Sequence, residues 1–134
     1  MGIFLEMAKN GEKPRWSAVY ELNKDNINEL VPEEIGNYRL GFIYNGKFCV
    51  RYVGRDDTDV HRRLLEHVTA IANGKEPLYY THFRFVTQTC ARNAYLQECE
   101  DYHNQNYELD NKIHPAKPDN TDWKCPNQKC EWSK

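Results

Sequence analysis

Arg63 and His67 stand four residues apart in VHRRLLEHV, a spacing that puts both on one face if the segment is helical. Further along, Ala91, Ala94, Tyr95 and Tyr102 mark the apolar side of a second helical segment, and Glu98 falls in the middle of that side while Glu100 points away. A carboxylate turned inward among aromatics costs free energy unless it meets a cation. That cation is either a structural Arg or Lys or a bound metal ion, and helix geometry leaves both open. Tyr38 and Tyr52 add two phenols, and Arg63 adds a planar fork of donors suited to an anion. Singly, each has a plainer role: strand aromatics for the tyrosines and a solvated helix face for the Arg–His pair.

Whether these groups meet depends on the elements that carry them. Tyr38–Gly54 reads YRLGFIY-NG-KFCVRYVG, two strand-like runs around Asn45-Gly46, a hairpin marker. Tyr38, Leu40, Phe42 and Tyr44 are even-numbered, and so are Phe48, Val50 and Tyr52. Facing residues of a hairpin have a constant sum, so two even faces match only if that sum is even. A plain two-residue loop at 45–46 makes it odd. A three-residue loop, Tyr44-Asn45-Gly46, with a bulge at Gly46 makes it even and sets Tyr38 and Tyr52 on one side of the sheet. Asp57 or Thr58 then caps a helix over 58–73 that stops at Gly74, with Val60, Leu64, Val68 and Ile71 as its buried stripe. Residues 79–87 alternate as a third strand, and a second helix follows over about 90–105. The expected fold class is α+β: a three-stranded antiparallel sheet flanked by helices, in the order β-β-α-β-α.

The chain divides into an N-terminal extension, 1–35, a domain, 36–120, and a C-terminal tail, 121–134. Within the extension the first 15 residues have no period and are expected to be loosely ordered, and a short helix is expected within 23–32. Its 134 residues suit one compact domain, and 40% hydrophobic residues supply one core. Charged residues reach 28%, and no apolar run approaches the length of a membrane span. The opening residues do not read as a secretory signal. Five irregularly spaced cysteines do not suggest a disulfide framework, so a reducing, cytoplasmic setting is expected. A net charge of −2 excludes a protein that coats nucleic acid, so any polyanion must meet a local cluster of positive charge.

In order, Gly36-Asn37-Tyr38, Tyr52-Val53-Gly54, Arg63 to His67, and Glu98 within ARNAYLQE resemble the GIY-YIG nucleases. That family has two short strand motifs, an Arg and a His or Tyr four apart on a helix, and a Glu on a later helix. The likeness spans about residues 36–120. Asn37 departs from it, standing where an apolar residue is usual, and the two tyrosines are further apart than expected. Gly41-Phe42-Ile43-Tyr44 imitates the first motif at the wrong end of the hairpin. The resemblance implies a GIY-YIG-like fold and a metal-dependent endonuclease acting on duplex DNA, with a homodimer one way to cut both strands. It implies a catalytic set of Tyr38, Tyr52, Arg63, His67 and Glu98. Glu98 would hold Mg²⁺ or Mn²⁺, a cation suited to oxygen ligands and retained waters. Tyr38 would take the proton from the attacking water, with a nearby cation such as Arg63 lowering its pKa. Arg63 would also bind the scissile phosphate, and Tyr52 and His67 would orient phosphate or water. Asn120, with Asn111 as a rival, matches a late Asn of the family. Arg51, Arg55 and Arg62 are candidate nucleic-acid contacts, opposed by Asp56, Asp57 and Asp59.

Two rivals remain: a binding module of the same fold that cuts nothing, and an interaction protein whose Trp-rich ends recruit a partner. In the tail, Cys125 and Cys130 are separated by four residues, with His114 upstream. Zinc needs four ligands, and the sequence offers no convincing fourth. Trp123 and Trp132 are expected to cover the domain or stack on a base.

Overall fold

Residues 14–105 and 108–134 are described by a computed structural model. The expectation of loose order at the N-terminus therefore falls almost wholly outside the described residues. The elements are β1 (Tyr20–Glu21), α1 (Lys24–Leu30), β2 (Gly36–Tyr44), β3 (Lys47–Asp56), α2 (Val60–Ala72), β4 (His82–Thr87) and α3 (Ala91–Asn104), with a 3-10 turn at Glu131–Ser133. The fold is α+β, but its sheet has four antiparallel strands rather than three, in the order β1-β4-β2-β3. β1 is only two residues long, paired through Tyr20↔Phe83 and Glu21↔His82, and two residues carry no periodic signal. The boundary expected at residue 36 accordingly moves toward the N-terminus. Ile27 of α1 is fully buried in the main core, and Trp16 stacks on the Arg39 guanidinium at 3.8 Å.

The hairpin reaches the expected result by another route. Asn45 and Gly46 both have positive φ, 51° and 75°, and Tyr44 pairs with Lys47, so the loop has two residues and the sum there is odd. The ladder then shifts between Leu40 and Gly41: Gly41 faces Val50, whereas Leu40 faces Tyr52. Arg51 is the extra residue, a bulge in mid-strand rather than at the turn. Below it the sum is even, and Tyr38 and Tyr52 share a face with ring centroids 6.3 Å apart. Above it Phe48 and Val50 pair with Ile43 and Gly41, so they turn to the other face, contrary to the parity expectation. The bulge needs glycine at 41, because a Cβ there would lie 1.9 Å from the Cys49 carbonyl oxygen.

Two layers of helix enclose the sheet. On one side α1 and α2 cover Tyr38, Leu40, Phe83 and Phe85 with Ile27, Val60 and Leu64. Asp59 caps α2 by accepting from the Arg62 N–H, so the helix starts two residues later than expected. On the other side lies α3, tied to β2 by two polar links. The Asn37 amide donates to the Ala94 carbonyl at 2.9 Å, and Arg39 bridges Asp101 at 2.7 Å. Asn37 also accepts from Gln88 at 2.9 Å and is fully buried, which explains the polar residue in the first motif: it fastens the helix that carries Glu98. β3 is an edge strand, and the chain after α3 runs along it. The Asp110 N–H bonds the Arg51 carbonyl, and the Asn111 amide takes both the N–H and the carbonyl of Val53 at 2.9 and 2.8 Å. This closes an edge otherwise open to foreign strands.

Candidate active site

Where β3 ends, the two helical layers approach each other across a cleft of ≈ 500 Å³. Tyr38, Tyr52, Arg63 and Glu98 line it, with Arg55 and Arg62 beside them and residues 113–116 as the outer wall. His67 stands behind the tyrosines, 2% exposed. Its Nε2 lies 2.7 Å from the Tyr38 hydroxyl, and its Nδ1 lies 2.6 Å from Oε1 of Glu76. An Nδ1–H donated to the Glu76 carboxylate leaves Nε2 as the acceptor for the Tyr38 O–H. Four elements thus bring the five expected side chains to one place. Glu76 belongs with them and had no sequence signal, since it follows the Gly74 helix stop in an irregular stretch.

Gly54 sits opposite Tyr38 in the ladder, and a Cβ on it would lie 2.3 Å from both Cζ and the hydroxyl of Tyr38. The glycine of the second motif is therefore the floor on which the phenol rests. Burial pushes the Tyr38 hydroxyl well above the usual phenol range, and neighbouring Tyr52 pushes the same way, while Arg63 opposes both. Tyr52 is raised by burial too, again against Arg63. The cation expected to lower the Tyr38 pKa is in place but is outweighed. Tyr38 is a neutral phenol, and a proton taken up by it must be passed on. Burial likewise depresses His67, although Glu76 favours its charged form, so the imidazole is neutral near pH 7 and able to accept.

Glu98 points into the cleft as its helix position requires, and its cation is Arg55, at 2.5 Å from Oε1. Burial raises the carboxyl above its ordinary range, and Arg55 pulls it back. Arg55 is also held by Asp57 at 2.9 Å and by the Ala116 carbonyl at 2.5 Å, and it lies over the Tyr95 ring. It is thus engaged within the protein rather than presented to an incoming phosphate. Arg51 is committed elsewhere, to Asp110 at 2.7 Å, and does not line the cleft. Only Arg62 of the three expected contacts is largely exposed at the cleft, loosely paired with Asp56 at 3.4 Å and Glu66 at 3.9 Å. The opposing acids are accounted for: Asp56 accepts from Thr58 and Asp59, Asp57 holds Arg55, and Asp59 caps α2. Asn120 is exposed on a turn away from the cleft, whereas Asn111 lines it while holding β3.

Compared with protein-family models, curated proteins and solved structures, the chain matches none. Among the described residues, no helix is long and apolar enough to cross a membrane.

Proposed function

We propose that the chain is a metal-dependent endonuclease of GIY-YIG type that hydrolyses DNA phosphodiester bonds. The observation that carries this reading is the convergence of Tyr38, Tyr52, Arg63 and Glu98 on one cleft with a proton acceptor, His67, bonded behind Tyr38. The donor set fits Mg²⁺ or Mn²⁺: the Arg55 bond uses Oε1 of Glu98, which leaves Oε2, and the cleft has room for phosphate oxygens and several waters. When bound, such an ion supplies Lewis-acid stabilisation of charge on the scissile phosphate. Tyr38 takes a proton from the attacking water as its own passes to Nε2 of His67, and the Glu76 carboxylate stabilises the resulting imidazolium. Arg63 balances negative charge beside the two phenols and offers its fork to the phosphate. Tyr52, half-buried, donates its O–H to a phosphate oxygen. Duplex DNA is the proposed substrate, with two copies of the chain or two successive events needed to cut both strands. All five cysteines are free, in keeping with a cytoplasmic setting.

The test is supercoiled plasmid incubated with Mg²⁺ or Mn²⁺, beside Tyr38→Phe and Arg63→Ala variants. Nicking that depends on the ion and disappears in both variants supports the reading. One observation favours a second reading, a nucleic-acid-binding or protein-interaction module that does not cut: the Glu98 carboxylate is already neutralised by Arg55. DNA retention in a gel without cleavage in either ion would favour it.

A further inference from the structure

The C-terminal segment contains a second cluster, away from the proton chain. His103 in the last turn of α3, His114, Cys125 and Cys130 bring one ligand atom each to within 4.8 Å of one another. We propose that these four residues bind a structural Zn²⁺ that fastens the C-terminal segment to α3.

Three independent features support the site. The first is chemistry and spacing. Two thiols and two imidazoles form a Cys₂His₂ set, and Cys125 and Cys130 are separated by four residues, within the range such pairs use. Zn–S and Zn–N bonds of about 2.3 and 2.0–2.1 Å place tetrahedral ligands roughly 3.3–3.8 Å apart. The observed spacing needs an inward adjustment of only about 1 Å to reach this.

The second is an unmet need. Nε2 of His103 and Nε2 of His114 are both buried without a hydrogen-bond partner. Buried polar atoms nearly always have one, and a ligated cation satisfies both lone pairs at once. The ring of His114 is already set for that role. Its Nδ1 donates to the Pro115 carbonyl at 2.8 Å, which fixes the tautomer with Nε2 free, as in ligating histidines generally. Trp132 stacks flat on the same ring, with centroids 5.0 Å apart and planes 3° from parallel, and so holds its orientation.

The third is the scarcity of other support. From residue 108 onward the only regular element among the described residues is the three-residue turn at Glu131–Ser133. Its apolar anchor is small: Cys125 against Tyr95 and Cys99, with Trp123 alongside. Segments with so little core are commonly stapled by metal. His114 also belongs to the wall of the cleft, so the ion would fix residues 113–116 where they face Glu98 and Arg63.

The experiment uses the full chain purified in reductant without chelator. Elemental analysis should return one zinc per chain. Exchange for Co²⁺ should produce the intense visible bands of a tetrahedral ion with thiolate-to-cobalt charge transfer. Cys125→Ser and His103→Ala should lose the metal, whereas Glu98→Gln in the cleft should keep it. If those two variants fold poorly, the cobalt spectrum of the unaltered chain decides alone. A chain with neither zinc nor cobalt uptake, a Cys125–Cys130 disulfide that persists in reductant, or zinc retained equally by Cys125→Ser would overturn the assignment. None of these readouts depends on DNA cleavage.

Discussion

The Tyr38 hydroxyl and Nε2 of His67 lie 2.7 Å apart, although one residue is on a strand and the other on a helix 29 positions later. The contact requires Tyr38 to face α2 and His67 to be the buried member of the Arg63–His67 pair. Both follow from the register below the Arg51 bulge and from the Asp59 cap that sets where α2 begins.

Tyr38→Phe should abolish this contact and reduce cleavage by about 10²–10⁴-fold, the usual size of a lost acid–base group. It also leaves Nε2 of His67 buried without its donor, at a cost of about 1–3 kcal/mol in stability. Single-turnover cleavage and urea unfolding measure the two effects. Cleavage close to that of the unaltered chain would remove Tyr38 from the proton path.

Stability should fall as the solution is acidified through His67. Burial holds the folded pKa below the ordinary value of about 6.5, so the unfolded chain gains the proton first. The stability due to neutral His67 is therefore complete above about pH 6.5 and is lost as pH drops through the folded pKa. Melts between neutral and mildly acidic pH should show this slope, and His67→Gln should flatten it. Cleavage should decline only at the acidic end of this window, as pH passes through the folded pKa, because a protonated imidazole cannot accept from Tyr38.

Gly54→Ala places a methyl 2.3 Å from the Tyr38 ring and hydroxyl. Tyr38 is buried and also packed against His67, with centroids 5.1 Å apart, and against Tyr52 at 6.3 Å. A loss of about 1–3 kcal/mol is expected from overpacking, with cleavage reduced beyond what the stability change explains. Melting temperature and single-turnover rate on the same sample separate the two. An active, fully stable alanine variant would show that the phenol is not held where the cleft needs it.

Glu98→Gln should abolish cleavage in both Mg²⁺ and Mn²⁺ while changing stability by no more than about 1 kcal/mol. Arg55 would not be stranded, since Asp57 and the Ala116 carbonyl remain with it and the glutamine oxygen can still accept. The raised Glu98 pKa points the same way, because burial of the carboxylate outweighs its ion pair. A drop of about 3–5 kcal/mol with cleavage retained would make the pair structural and put the metal elsewhere.

Binding to random duplex should be weak and salt-sensitive, since Arg62 and Arg63 are the arginines left to meet phosphates at the cleft. Arg62→Ala should lower the salt slope by about one unit, while Arg51→Ala should leave it unchanged. Tight binding indifferent to salt would contradict this.

The helix pair and the inward Glu98 were legible because each follows from helical periodicity. The two tyrosines do share a face, but the parity that led there misplaced the device: it put the extra residue at the turn, as a bulge at Gly46, and kept Phe48 and Val50 on the Tyr52 face. Asn45-Gly46 instead keeps the favoured two-residue turn, the extra residue is Arg51, and Phe48 and Val50 turn to the other side. β1 was too short to show. Arg55 as the partner of Glu98, Glu76 behind His67, and His103 beside Cys125 are contacts between distant segments, and no local pattern encodes them. Asn111 was a named rival to Asn120, and only the path of the chain along β3 separates the two.

The mid-strand bulge also divides the hairpin into two halves whose side chains alternate out of step. From Gly41 to Val50 the ribbon has its own alternation, and its tip, with Tyr44 64% exposed, takes no part in lining the cleft. Rebuilding that tip, by exchanging the Asn45-Gly46 turn for another of equal length or by grafting a recognition loop or label onto it, would leave the phasing of Tyr52 intact. The outer end of the ribbon is thus a place where the molecule can be rebuilt while the phase of the strand beneath it is kept.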